Sequence, residues 1–208
     1  PCYGRFLPRE RRQKAFQALV SMMGNYYNLL PIPQSKNGKV RCLRYCPVCA
    51  ANDREQYGEA YWHRIHQLIG IHVCPVHRCY LMDSRVMISG KATPSLKTAE
   101  EMITQSESYA FSDNEIEIRV AVYMAEVFQA EVDMDSCVRV GDFLHSKMAN
   151  TRYRSVRGEQ RNIRLFHADF KEHYSDLAQN WFKELWQIQK VLTNDRVNIY
   201  EICLMAMF

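Results

Sequence analysis

Hydrophobic residues recur at helical spacing in several stretches of this 208-residue chain. In residues 10–30 they fall on one side of a helical projection, and Pro31 and Pro33 follow, so the segment predicts an amphipathic helix. Residues 81–88 predict a short strand or an extended segment. Residues 89–112 are rich in Ser, Thr, Lys and Glu and poor in large apolar side chains, which is typical of a linker.

More helices are predicted after this linker. Ser112 and Glu115 fit the capping-box pattern that begins a helix. The side chains of that helix are apolar on nearly all of its sides, which indicates that the helix is buried. The remaining predicted helices are a short one with Phe143, Leu144 and Met148, one over 159–174, one over 176–192, and a last one after a turn and cap at 193–195.

Composition places the chain among ordinary globular proteins, with 47% hydrophobic and 24% charged residues and a net charge of +4. No apolar run is long enough to cross a membrane, and no secretory pattern opens the chain, so a cytoplasmic location is expected. The start at Pro1 and the apolar ending over 199–208 suggest that more chain lies on both sides. The positive charge permits nucleic-acid binding without requiring it.

Two short turns carry the clearest chemistry. Cys46 and Cys49 form a C-P-V-C turn, and Cys74 and His77 form a C-P-V-H turn. Each turn can offer two donors to one ion, and together they complete the tetrahedral set of a structural zinc site. One Zn²⁺ is therefore expected, in a structural role, because four protein ligands leave no open position for a catalytic water.

Four alternative ligands lie nearby in the sequence: Cys42, His66, His72 and Cys79. Cys42 and Cys79 rank lower because they break the two-residue spacing, and His72 lies too close to Cys74 in the sequence for the two to bind one ion easily. The clustering of cysteines in such turns favours metal in a reducing compartment over disulfides.

Between the two turns, Tyr61, Trp62, Ile65, Leu68 and Ile69 predict a helix. The histidines of this segment could act as proton shuttles, or the aromatic residues could pack a small domain while the polar residues face water or a partner. Packing is favoured, because no positioned nucleophile accompanies the histidines. A zinc deaminase is excluded, because its H-x-E element is missing.

A basic stretch in the second half is a candidate DNA-binding surface. On a helix, Arg157, Arg161, Arg164 and Lys171 share one face, with apolar residues on the opposite face. Such a stripe can contact a phosphate backbone, although it is as often only a solvated face. The candidate DNA contacts are Arg152, Arg154, Arg157, Arg161, Arg164 and Lys171.

The zinc region resembles one known family. The pattern combines Tyr45-Cys46-Pro47-x-Cys49, Gly58-Glu59-x-Tyr61-Trp62-His63-Arg64-x-His66-Gln67 and Gly70-x-x-x-Cys74-Pro75-x-His77-x-x-x-Leu81. This pattern is similar to the signature of the TniQ/TnsD family of transposon target-site selection proteins, and residues 6–30 resemble the segment that precedes it.

The resemblance implies a protein that is not an enzyme. Family members bind target DNA or dock on an RNA-guided CRISPR complex, and they recruit an AAA+ ATPase regulator (TnsC-like) that brings the transposase.

Together these patterns predict a mainly α protein with a small zinc-knuckle subdomain and a helix-turn-helix-like helical second domain. The predicted boundaries are 1–88 for the zinc-knuckle domain, 89–112 for the linker and 113–208 for the helical domain, which is expected to continue beyond Phe208. The expected function is a non-enzymatic, DNA-binding adaptor in transposition.

Two other functions are alternatives to this one. A protein–protein adaptor that docks on a partner without touching DNA remains open, and an exposed aromatic patch near Tyr61 and Trp62 would favour it. A metal-dependent hydrolase would need an open metal position and paired carboxylates, which the sequence does not offer.

Overall fold

The computed structural model describes residues 2–23, 28–31, 41–88, 97–104, 108–154, 160–179, 181–194 and 197–208. Helices predominate within these ranges, which confirms the mainly α fold class. Among the described residues, no helix combines the length and the apolar character that crossing a bilayer requires.

By its internal contacts the chain divides into two compact units. We call Gln34–Phe128 the central unit, and the combination of Pro1–Pro33 with Gln129–Phe208 the discontinuous unit.

The central unit is built on an antiparallel pair of strands. β1 (Arg41–Tyr45) pairs with β2 (Met82–Ile88), and the register is irregular between Cys42 and Arg44. β2 confirms the extended segment predicted over 81–88. β1 leads through one residue into α2 (Pro47–Tyr57), so the strand pair positions the beginning of this helix.

The side chain of Gln67 joins residues 61–69, which we call the aromatic segment, to β1. Its amide oxygen accepts a hydrogen bond from the backbone N–H of Arg44 at 3.0 Å, and its Nε2 donates to the Arg44 carbonyl at 2.7 Å. The Arg44 guanidinium donates in turn to the carbonyls of Leu68, at 2.7 Å, and Ile71. These bonds pair the backbone of Arg44, next to the irregular register of the strands, and the carbonyls of Leu68 and Ile71.

The prediction of a helix over residues 61–69 is wrong. Helix α2, which begins at the first cysteine turn, ends where Gly58 adopts a left-handed conformation with φ of 84°. The aromatic segment has no regular structure over 61–63 and forms a 3₁₀ helix over Arg64–Gln67. Its side chains bond to neighbouring segments, as Trp62 does through its indole N–H to the Lys97 carbonyl at 3.0 Å.

Part of the predicted linker is ordered structure of the central unit. Thr98 and Glu101 form a capping box at the start of the short helix α3 (Ala99–Met102). The Glu100 carboxylate accepts hydrogen bonds from the Arg54 guanidinium at 2.7 Å and from the Ala60 N–H at 2.8 Å. Residues 89–96 and 105–107 of the predicted linker lie outside the described residues.

Helix α4 (Glu115–Gln129) begins where the sequence predicts, with a different capping residue. The Asn114 side-chain oxygen accepts hydrogen bonds from the N–H groups of Ile116 at 3.1 Å and Glu117 at 3.2 Å. Asn114 is therefore the N-cap. Ser112 instead donates its hydroxyl to the Glu117 carboxylate at 2.8 Å.

The C-terminal part of the discontinuous unit is helical. Its helices are α5 (Val140–Met148), α6 (Gln160–Tyr174), α7 (Asp176–Gln179), α8 (Leu185–Thr193) and α9 (Ile199–Met207). The single helix predicted over 176–192 is therefore two helices, α7 and α8. The N-cap of α9 is Asn198, whose side chain accepts from the Tyr200 N–H. Asp195 of the predicted cap lies outside the described residues.

The apolar face predicted for α6 lies in the core of this unit. Phe166, Phe170 and Tyr174 are buried. The ring centroids of Phe170 and Phe182 are 4.8 Å apart in an edge-to-face arrangement, which is favourable for aromatic pairs.

A buried arginine and an exposed ion pair connect helix α1 (Arg9–Val20) to the C-terminal part of the discontinuous unit: Arg9 pairs with Asp135 at 2.9 Å, and Arg12 is buried. The Arg12 guanidinium donates to the carbonyls of Arg5, Met134 and Ser136. The helix ends at Val20, ten residues before the predicted end, and Met22 has a positive φ of 53°. Tyr27, which belonged to the predicted apolar face, lies outside the described residues.

The bounds of the two units differ from those of the predicted domains, because residues 1–33 group with the C-terminal helices. The independent folding of 1–88 and 113–208 stays a prediction, and so does the helix-turn-helix-like character of the second domain. Helix α9 is buried from Ile199 to Met205.

Candidate metal centre

The first cysteine turn is the beginning of α2. Cys46 is the N-cap residue in an extended conformation, and Pro47 occupies the first helical position, where its missing N–H leaves no bond unmade. The Cys46 sulfur accepts a hydrogen bond from the Cys49 N–H at 3.3 Å. Cap geometry therefore brings the sulfurs of Cys46 and Cys49 to the same end of the helix.

The second turn is a closed loop. The Cys74 N–H donates to the Cys79 carbonyl at 2.7 Å, and the Arg78 N–H donates to the Cys74 carbonyl at 2.9 Å. Arg78 has a φ of 59°, the left-handed conformation that lets the chain reverse here. Val73 and Tyr80 pair just outside the loop.

These two turns bring together the four predicted ligand residues. The donor atoms of Cys46, Cys49, Cys74 and His77 all lie within 4.8 Å of one another. His77 Nδ1 is 3.6 Å from the Cys46 sulfur, 3.3 Å from the Cys49 sulfur and 3.7 Å from the Cys74 sulfur. The sulfurs of Cys49 and Cys74 are 3.7 Å apart.

The distances fit a tetrahedral ion. Zinc–sulfur bonds of about 2.3 Å and zinc–nitrogen bonds of about 2.0 Å imply about 3.8 Å between two bound sulfurs and about 3.5 Å between sulfur and nitrogen. Cys46 and Cys74 are fully buried and Cys49 nearly so, whereas His77 is half-buried. The set is therefore a group that could hold a metal ion.

The protonation of the cysteines also suits a cation. Hydrogen bonds from neighbouring thiols, the largest from Cys49, lower the pKa of Cys46. The interaction with Cys46 in turn raises the pKa of Cys49, and Cys46 and burial raise the pKa of Cys79. Because Cys46 raises the pKa of the neighbouring buried thiols, a positive ion would favour the state in which three of the cysteines are thiolates.

His66 lies against the sulfurs. Its side chain is only 1% exposed, and its Nε2 is 3.8 Å from the Cys49 sulfur and 3.7 Å from the Cys74 sulfur. Burial, the largest cause, lowers its pKa to about 4. The neutral ring can thus donate one N–H towards the two sulfurs and orient them.

Of the other alternative ligands, Cys79 joins the buried cysteine cluster, with its sulfur 3.1 Å from that of Cys46. Cys42 is half-buried on β1 and His72 is exposed. Spacing alone could not have found the position of Cys79, because it depends on the reversal at Arg78.

The histidine of the aromatic segment has a structural partner. His63 Nε2 is 2.8 Å from a carboxylate oxygen of Asp53, a buried residue on α2. The Tyr61 ring stacks on the His63 ring with centroids 4.3 Å apart. These contacts join the aromatic segment to α2 beside the cysteines and favour the packing role over proton shuttling.

The basic stretch is only partly described. Arg154 and Lys171 are exposed, as is Arg164 on α6. Arg157 lies outside the described residues, and the side chain of Arg161 is not described. The Arg152 guanidinium donates to the Asp169 carboxylate at 2.7 Å, which neutralises part of its charge. DNA contact by these residues stays a prediction.

Comparison with known proteins bears on the same region. Residues 11–81 match the model of the TniQ family. An 88-residue stretch is 31% identical to the Transposon Tn7 transposition protein TnsD of Escherichia coli. That alignment covers 42% of this chain and 17% of TnsD, so it concerns a small part of the relative. The family resemblance predicted from the cysteine turns is confirmed by these matches.

Proposed function

We propose that this protein is a non-enzymatic adaptor that selects target sites in DNA transposition, because residues 11–81 match the model of the TniQ family. The observation that carries the proposal is a coincidence in position. The segment that matches the family contains all four donors of the candidate metal centre. The family match and the clustered donors therefore support each other.

The metal of the proposal is one Zn²⁺ held by Cys46, Cys49, Cys74 and His77. Three sulfurs and one imidazole nitrogen are the donors that zinc takes in structural sites. The ion would supply the positive charge that keeps the sulfurs ionised and would cross-link the start of α2 to the 74–79 loop. With four protein donors, no position is open for substrate or catalytic water.

The DNA contacts of the proposal come from the exposed basic side chains around α6. Arg164 and Lys171 are seven residues apart, which is about two helical turns, so they share a face of α6. The buried aromatic residues hold the opposite face. A rigid helix with exposed cations on one face suits contact with phosphates.

The partners of the proposal follow from the family. They are double-stranded DNA, an AAA+ ATPase regulator of the TnsC type with its transposase, and in some systems an RNA-guided CRISPR complex. A cytoplasmic location accords with such partners.

Salt-dependent binding to random duplex DNA tests the DNA-binding role. We expect R154A/R164A/K171A to weaken binding and to flatten the dependence of log K on log salt by about 0.9 for each phosphate that the wild-type side chains neutralise. The control K97A/R85A/R119A removes the same charge from exposed residues of the central unit and should retain the wild-type slope. An equal slope for all three proteins would refute DNA contact by these side chains.

A protein–protein adaptor without DNA contact is the second candidate, and one observation favours it. Tyr57 and Tyr61 are 59% and 46% exposed, and their rings form an edge-to-face pair with centroids 6.0 Å apart. Exposed paired tyrosines are typical of protein-binding surfaces. This candidate predicts no DNA binding by the wild type at any salt concentration in the same titration.

A further inference from the structure

Cys79 has a place in the metal centre that the four-donor pattern does not assign. Its side chain is fully buried, and its sulfur is 3.1 Å from the Cys46 sulfur. That distance is shorter than those given above between the four donors. A fourth sulfur, which would be a fifth donor, therefore lies within reach of the site.

The backbone holds Cys79 there from two sides. Its carbonyl accepts from the Cys74 N–H at 2.7 Å, which places Cys79 across the loop from a ligand residue. On the other side it pairs with Phe111 in an isolated antiparallel bridge. The neighbouring bonds from Tyr80 N–H to the Ala110 carbonyl and from Ser112 N–H to the Arg78 carbonyl fix the same segment.

His77 is held less firmly than the cysteines. It is half-buried, and its second ring nitrogen, Nε2, is 3.2 Å from the side-chain amide nitrogen of Asn52, an exposed contact. The cysteines, by contrast, are shielded from water. His77 is thus the donor that solvent reaches most easily.

We propose that Cys79 is a reserve ligand, which binds the metal ion when His77 leaves it and converts a site of three cysteines and one histidine into a site of four cysteines. The inference rests on the metal centre proposed above. In the exchange the bond from the metal to His77 Nδ1 breaks and a bond to the Cys79 sulfur forms. The proton of the Cys79 thiol passes to the released imidazole or to water, so the ion keeps four donors and no electron is transferred.

Metal binding by four variants of the 208-residue chain tests the proposal: H77A, C79S, H77A/C79S and H77A/C42S. The last is the matched control, because Cys42 is a half-buried thiol on β1 outside the cysteine cluster. Co²⁺ serves as the probe, because its thiolate charge-transfer absorption grows with the number of bound sulfurs. Bound zinc per chain and competition with a chelator are measured in parallel.

We expect one ion per chain in the wild type, H77A, C79S and H77A/C42S. The charge-transfer absorption should be higher in H77A than in the wild type and unchanged in C79S. Affinity in H77A/C79S should be at least about tenfold below that of H77A.

Three results would overturn the proposal. In the first, H77A binds the metal as weakly as H77A/C79S. In the second, H77A shows no more thiolate charge-transfer absorption than the wild type. In the third, H77A loses its helical circular dichroism signal while C79S keeps it. A wild type that binds no metal would instead refute the metal centre itself, so the two failures can be told apart.

Discussion

At the scale of single residues, spacing picked out the four candidate donors that cluster in the structure, and it named His66 and Cys79 only as alternative ligands. Cys46, Cys49, Cys74 and His77 follow from two short turns, because a turn of four residues fixes its own geometry. The positions of His66 and Cys79 against the cluster could not be predicted, because each depends on where a distant segment places its backbone. His63 likewise pairs with Asp53, and no local sequence pattern predicts this contact.

The Asp53–His63 pair yields a stability prediction. D53A removes the buried partner of His63, so we expect the free energy of unfolding to fall by about 1–3 kcal/mol. Urea denaturation monitored by circular dichroism measures the change. D83A, at an exposed carboxylate on β2, is the control and should change it by less than about 0.5 kcal/mol. Equal effects of both substitutions would contradict a structural role for the pair.

At the scale of elements, the secondary structure of a segment was predicted correctly where one continuous apolar face determines it. Helix α6 and its buried Phe166 and Phe170 follow from periodicity alone. The aromatic segment after Gly58 has similar apolar spacing and is not helical. There, side-chain bonds such as those of Trp62 and Gln67 to distant backbone groups replace helical ones. β1 was not predicted, because its pairing with β2 depends on a partner about forty residues away.

A glycine on α5 marks a close approach of two elements. A methyl group added at Gly141 would lie 2.2 Å from the Leu192 carbonyl oxygen on α8. Alanine normally stabilises a helix by about 1 kcal/mol relative to glycine. Here the clash with backbone outweighs that gain, so we expect G141A to destabilise the protein by about 1–3 kcal/mol.

Thermal unfolding measures the effect of G141A against H145A, a substitution at an exposed position of the same helix. H145A should leave the melting temperature unchanged or raise it slightly. A melting temperature of G141A at or above that of the wild type would show that α5 and α8 separate without penalty.

At the scale of the whole molecule, the mainly α composition was predictable and the grouping of its parts was not. Local patterns cannot show that α1 joins the C-terminal helices, because the bonds of Arg12 to Met134 and Ser136 span more than a hundred residues. The four donors, by contrast, all belong to the central unit, whose chain is continuous.

Removal of the metal should therefore affect the two units differently. We expect a chelator in reducing buffer to raise amide hydrogen exchange in β1, α2 and β2, because structural zinc contributes directly to folding. Protection in α6 and α9 should be retained. Mass spectrometry of peptides from both units measures this, with readdition of Zn²⁺ as the control. Equal loss of protection in α9 would contradict a role confined to the central unit.

The bonds of Arg12 also have a consequence for synthesis of the chain. Arg12 and the Ser136 carbonyl that it binds are 124 residues apart. At about 5–20 residues per second, a ribosome needs about 6–25 s to cover that distance. A twelve-residue helix such as α1 is marginal in water on its own. During every round of translation, α1 therefore lacks the Met134 and Ser136 carbonyls that Arg12 binds until the whole central unit has been synthesised.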